Sequence, residues 1–85
     1  MNSRRLFERL KQGHVRNVAF RDFVVVVERF GFRKVRQEGS HQAFSRTDVA
    51  ELLNLQPVRG EVKPYQIRQF LRLVEKYNLQ LENPP

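Results

Sequence analysis

Gly31-Phe32-Arg33-Lys34-Val35-Arg36-Gln37-Glu38-Gly39-Ser40-His41-Gln42-Ala43-Phe44 is the stretch that decides the fold. Phe32 to Gln37 mixes apolar and basic residues with a loose period of two, the spacing of a strand whose side chains alternate between faces. Glu38-Gly39-Ser40 reads as a tight turn, because glycine tolerates the positive φ that short hairpin turns require. His41 to Arg46 is then the returning strand. If Phe44 packs inward, His41, three positions earlier, points to the opposite face of the sheet.

Upstream of this hairpin the spacing is helical. Phe20, Phe23, Val24, Val27 and Phe30 fall on one side of a helix from about Arg21 to Phe30. The β-branched run Val24 to Val27 weakens that reading, but the aromatic spacing and Gly31 as a C-terminal stop outweigh it. A first helix is predicted over 3–12, capped by Asn2 or Ser3 and ended by Gly13. Its apolar residues Leu6, Phe7 and Leu10 share one face. A helix of about ten residues is marginal alone, so this one must dock on something. Gln12 to Val18 reads as a linker.

Downstream, Thr47 to Ala50 reads as a second turn, Glu51 to Val58 as a third strand, and Arg59 to Lys63 as a loop around Gly60. Pro64 suits the first position of a last helix over 64–77. Ile67, Phe70, Leu71 and Val74 form its core stripe, and Asn78 ends it. The expected architecture is α+β, with a three-stranded antiparallel sheet packed on helices and one sheet face left uncovered. The chain divides into an N-terminal helical extension and linker (1–19), a main domain (20–79) and a flexible tail (80–85).

Charge narrows the partners. The 85 residues carry a net charge of +7. Residues 1–36 hold ten Lys/Arg against three Asp/Glu, whereas residues 37–85 hold six of each. A basic half on a small domain points to a polyanion, nucleic acid first and an acidic protein surface second. The chain has no cysteine, which removes disulfides and thiolate chemistry and fits a reducing, cytoplasmic setting. The longest apolar run, Phe23 to Val27, is far short of the roughly 18 residues a membrane span needs. No apolar stretch follows Arg4 and Arg5, which argues against a signal peptide.

Few residues are suited to chemistry. No His-x-x-x-His or paired His/carboxylate spacing suggests zinc, and no glycine-rich loop with Lys-Ser/Thr suggests a nucleotide site, so no metal or cofactor is expected. Ser40 and Ser45 lack an evident base. His14 lies in the linker. His41 stands out, at the start of a strand after a Gly-Ser turn and next to Arg36 across the hairpin. Histidine exchanges protons near neutral pH, so it can take the proton of a ribose 2′-hydroxyl while basic neighbours hold the phosphate. Arg33, Lys34 and Arg36 on or beside the first strand, Ser40 in the turn, and Lys63 at the helix start are the candidate RNA contacts. Most aromatic residues fall on core stripes; Tyr65, beside Lys63, is the candidate for base stacking.

The run Gly31-Phe32, four residues of strand, then Gln37-Glu38-Gly39-Ser40-His41-Gln42-Ala43-Phe44 resembles the HicA toxins of bacterial and archaeal toxin–antitoxin pairs. Glu61-Val62-Lys63-Pro64-Tyr65-Gln66-Ile67-Arg68 is similar to that family's Lys-Pro helix start. The resemblance spans about residues 20–79. It implies a fold similar to the double-stranded-RNA-binding domain, cleavage of mRNA with the Gly-Ser-His histidine, here His41, as the essential residue, and a HicB-type antitoxin that covers the site. The family often carries a second histidine where Gln42 stands, His-Pro-Asp where Arg46-Thr47-Asp48 stands, and a histidine where Val58 stands. Two other classes stay open on the residues alone: a non-catalytic RNA or DNA binder of the same fold, and a protein-interaction module that holds an acidic partner.

Overall fold

Burial overrides local preference in the second helix. The computed structural model describes residues 2–82, and in it α1 spans Ser3–Lys11, β1 Val18–Ala19 and α2 Phe20–Arg29. They are followed by β2 Arg33–Glu38, β3 His41–Arg46, β4 Val49–Leu55, β5 Glu61–Val62 and α3 Pro64–Lys76. The valine run of α2 is helical because Phe23, Val26, Val27 and Phe30 are completely buried, and that burial outweighs the modest helix penalty of β-branched residues. The stripe is rotated from the one expected, since Val26 is in the core while Val24 is only partly buried. Likewise in α3, Leu73 joins Ile67 and Phe70 in the core, while Leu71 and Val74 pack at its margin.

The helix ends follow local chemistry. The Asn2 side chain accepts hydrogen bonds from the backbone N–H groups of Arg4 and Arg5 at 2.9 and 3.2 Å and so caps α1. Gly31 ends α2 with φ 89°, a left-handed value that glycine adopts without a Cβ penalty. The Arg46 guanidinium donates to the Phe30 carbonyl at 2.8 Å and pairs with Asp48 at 2.8 Å, which satisfies a carbonyl the helix end leaves free.

β2, β3 and β4 form an antiparallel sheet in that order. This meets the α+β expectation of a three-stranded antiparallel sheet packed on helices. The third strand differs in extent. It starts at Val49 rather than Glu51, because Val49 is a core residue, and it stops at Leu55, short of Pro57, whose ring cannot donate to a ladder. The second turn is thereby reduced to Thr47–Asp48. β2 also departs from simple alternation. The register shifts between Lys34 and Arg36, so Val35 bulges and is 57% exposed. Before the bulge Lys34 pairs with Phe44; after it Arg36 pairs with Ala43 and Glu38 with His41.

The linker and loop read over 12–18 and 59–63 contain a second, two-stranded element. Val18 pairs with Val62 and Ala19 with Glu61, antiparallel. Each strand is only two residues long and shows no periodicity, and the pair forms because Val15, Val18 and Val62 are all buried. The core centres on Phe70 of α3, which meets Phe23, Phe30 and Phe32 edge-on at centroid distances of 5.5, 5.4 and 6.0 Å. Phe7 of α1 reaches the same core through Phe30, at 4.7 Å. α3 is also tied to β4. Glu51 accepts from Lys76 Nζ at 2.7 Å and from the Tyr77 hydroxyl. After α3 the chain turns back over α2: Leu79 is buried, and the Glu82 N–H donates to the Arg29 carbonyl at 2.7 Å. Residues 83–85 of the expected tail lie outside the described residues.

Candidate active site

The β2–β3 turn sets the position of the histidine. Gly39 takes φ 60°, which a two-residue hairpin turn needs at its first central position. The strands flanking it therefore end directly opposite each other, with Glu38 against His41. Side-chain bonds pin the turn. Gln37 Nε2 donates to the Gly39 carbonyl at 3.1 Å, Lys34 Nζ to Gln37 Oε1 at 2.6 Å, and Gln56 Nε2 to Ser40 Oγ at 3.2 Å. The last of these joins the turn to the chain just beyond β4.

Strand parity puts Phe44 in the core, 1% exposed, and leaves His41 exposed. Cross-strand partners share a face, so Arg36, Glu38, Ala43 and His41 lie on the same side of the hairpin. Ala43 sits between Arg36 on one neighbouring strand and Asn54 on the other. A methyl group there keeps the floor between them low. At this end of the sheet an open groove of about 350 Å³ runs from the hairpin to the first turn of α3. Arg36, Glu38 and His41 line one part of it, and Gln56, Tyr65 and Gln66 another. Among the described residues, the side chains of Arg36, Glu38 and His41 form no hydrogen bond or ion pair with one another or with any other group. They are free to engage a ligand.

Of the residues singled out in the sequence, the groove unites His41, Arg36 and Tyr65, with Ser40 in the adjoining turn. Arg33 and Lys34 line a separate hollow with Val35 and Ser45. Lys34 pairs with Phe44 and so belongs to the other face, while Arg33 pairs with Ser45, four residues or about 13 Å along the strand from His41. Lys63 precedes α3 and faces a third hollow with Arg16 and Arg59. The three positions that differ from the common family pattern separate too. Gln42 lines the groove, Arg46 is engaged with the Phe30 carbonyl and Asp48, and Val58 lies in the hollow with Lys63.

Glu38, Asn54, Gln56 and Gln66 also line the groove, though the sequence does not single them out. Glu38 is accessible to sequence reasoning, since a two-residue turn obliges positions 38 and 41 to oppose each other. Asn54, Gln56 and Gln66 carried no local signal, because they reach the groove only through the packing of β4 and α3 beside the hairpin. Among the described residues no cluster of His, Cys, Asp or Glu has the makings of a metal site, and no helix is long and apolar enough to cross a membrane.

No curated relative and no solved structure matches the chain. Residues 20–75, from the start of α2 almost to the end of α3, match the family described as the HicA toxin of bacterial toxin–antitoxin. With that match covering well over half its length and a Gly-Ser-His hairpin at its exposed groove, the chain belongs to the HicA toxin family.

Proposed function

We propose that the chain is a metal-independent endoribonuclease toxin that cleaves mRNA in the cytoplasm, with His41 as its acid–base residue. The observation that carries this reading is the meeting of His41, Arg36, Glu38 and Tyr65 in one groove. An exposed imidazole on a rigid hairpin is placed to accept the 2′-hydroxyl proton of a bound ribose. The freed 2′-oxygen attacks the adjacent phosphorus, the bond to the 5′-oxygen breaks, and that oxygen takes a proton. The products are a 2′,3′-cyclic phosphate and a 5′-hydroxyl. Arg36, in the same groove as His41 and without an ion-pair partner among the described residues, neutralises the phosphate as charge builds on it. Glu38, directly across the hairpin, stands where its carboxylate can hold the imidazolium once the proton has moved. Tyr65 offers a ring on which an unstacked base rests. Ser40 in the turn, with Arg33, Lys34 and Lys63 farther out, extends the contact along the RNA backbone.

A HicB-type antitoxin silences the toxin by covering the groove with a carboxylate-rich surface complementary to Arg36 and the basic half of the chain. Co-expressed, the two proteins are expected to elute as one species at physiological salt, and their separation refutes the partnership.

The deciding experiment is purified His41→Ala assayed for RNA cleavage beside its thermal melt. Cleavage falls roughly 100- to 10,000-fold, the range of one general acid–base group. Stability stays within about 0.5 kcal/mol because the side chain is exposed. Chelators leave the wild-type rate unchanged. Full cleavage by the variant refutes the assignment. Undiminished RNA binding by a wild-type protein that never cleaves favours the non-catalytic binder instead.

A further inference from the structure

The first turn of α3 contains a polar group that the fold itself does not satisfy. Gln66 is 4% exposed, yet its Oε1 has no hydrogen-bond partner among the described residues. A buried acceptor left unmet is costly, and folded chains rarely keep one without a use for it. Its Nε2 is held, loosely, by the Tyr65 hydroxyl at 3.4 Å. Both residues line the groove that holds His41. Tyr65, the neighbouring residue, is 59% exposed. A residue with a buried, unpaired acceptor and an exposed aromatic residue thus line the same groove as His41 and Arg36.

We propose that Tyr65 and Gln66 form a base-reading pocket that selects adenine or cytosine, the bases with an amino group at purine C6 or pyrimidine C4, beside the cleaved phosphate. This rests on the ribonuclease reading of the groove. Tyr65 supplies the stacking platform, which tolerates any base. Gln66 supplies the choice: its Oε1 accepts from the amino group of adenine or cytosine. Adenine matches further, since a glutamine amide presents an acceptor and a donor side by side to its amino group and adjacent ring nitrogen. Uracil offers carbonyl oxygens where the amino group would be and leaves the acceptor unmet. Burial sharpens the discrimination, because a buried group that loses its partner has no solvent to turn to.

The test separates this pocket from catalysis. Labelled decamers of adenosine, of cytidine, of uridine, and of purine riboside, which lacks only the amino group of adenosine, are titrated against the non-cleaving His41→Ala protein by fluorescence anisotropy. The adenosine decamer binds roughly 5- to 150-fold tighter than the purine riboside decamer, the range of one well-made base contact. The cytidine decamer shows whether the amino group alone suffices. Gln66→Met brings the adenosine-to-purine ratio close to one, and Gln66→Glu, which keeps an acceptor, preserves it; thermal melts confirm that both fold. Equal affinity for adenosine and purine riboside decamers with Gln66 intact overturns the proposal without any variant, as does failure to bind either. Cleavage that depends on His41 but shows no such discrimination refutes the base pocket alone. Discrimination by a protein that cleaves no RNA supports the pocket and refutes the ribonuclease reading alone.

Discussion

Replacing Phe7 by alanine tests whether α1, which precedes the family-matched region, is integral to the fold. Phe7 is 8% exposed, and its ring lies 4.7 Å from Phe30. On its outer side the Lys11 ammonium sits 4.9 Å from the ring centroid. α1 is held by the buried side chains of Leu6, Phe7 and Leu10, so a third of its apolar anchor is removed. Truncating a buried phenylalanine costs about 3–5 kcal/mol. The lower end, about 3 kcal/mol, applies here because the ring lies at the edge of the core and the helix can settle into part of the space. An 85-residue domain has about 4–13 kcal/mol in total, so Phe7→Ala removes a large share. For a domain this size each kcal/mol moves the melting temperature by about 4–8 °C. The expected fall is therefore about 12–24 °C, read by circular dichroism on heating. Phe7→Leu keeps most of the apolar area and costs about 1 kcal/mol. Arg5→Ala, on the exposed face of α1, changes stability by less than about 0.5 kcal/mol. A Phe7→Ala melt within about 3 °C of the wild type, less than 1 kcal/mol, refutes the docking of α1.

Three further outcomes are expected. The Lys76 ammonium, and after it the Tyr77 hydroxyl, hold the Glu51 carboxyl down from its ordinary 4.5 to about 2; its contribution is thus fully present above pH 4.5 and lost as the pH falls toward 2, so Glu51→Gln flattens the fall in melting temperature across that window. Arg36→Ala weakens binding to single-stranded RNA and lowers the log–log salt slope by about 0.7, the share of one phosphate contact, and an unchanged slope in a salt titration argues against that contact. Gly39→Ala meets no atom within 4 Å but must hold φ 60°, so it costs about 1–2 kcal/mol of backbone strain and slows cleavage by disturbing the opposition of Glu38 and His41, whereas a melt and rate equal to wild type would show that the turn does not set the site.

Much of the candidate site is legible in the sequence because its key features are local. Gly39-Ser40 encodes a two-residue turn, the turn obliges Glu38 to face His41, and alternation from Phe44 sends His41 outward. Backbone preferences of this kind act within a few residues. The proposed phosphate contacts are less legible for the same reason. Arg33, Lys34 and Arg36 look equivalent along the chain, but the bulge at Val35 changes the register between Lys34 and Arg36. Only Arg36 comes to share the groove.

The sequence by itself determined the helix boundaries at Asn2, Gly31 and Pro64, the hairpin, and the exposure of His41, each through the φ preference or capping chemistry of residues close in the chain. The tertiary structure alone decided that Val18–Ala19 pairs with Glu61–Val62, that α1 reaches the core through Phe7 and Phe30, and that Gln56 and Gln66 arrive beside the histidine. Those outcomes depend on which apolar faces exclude water together across tens of residues. No short-range preference records that choice.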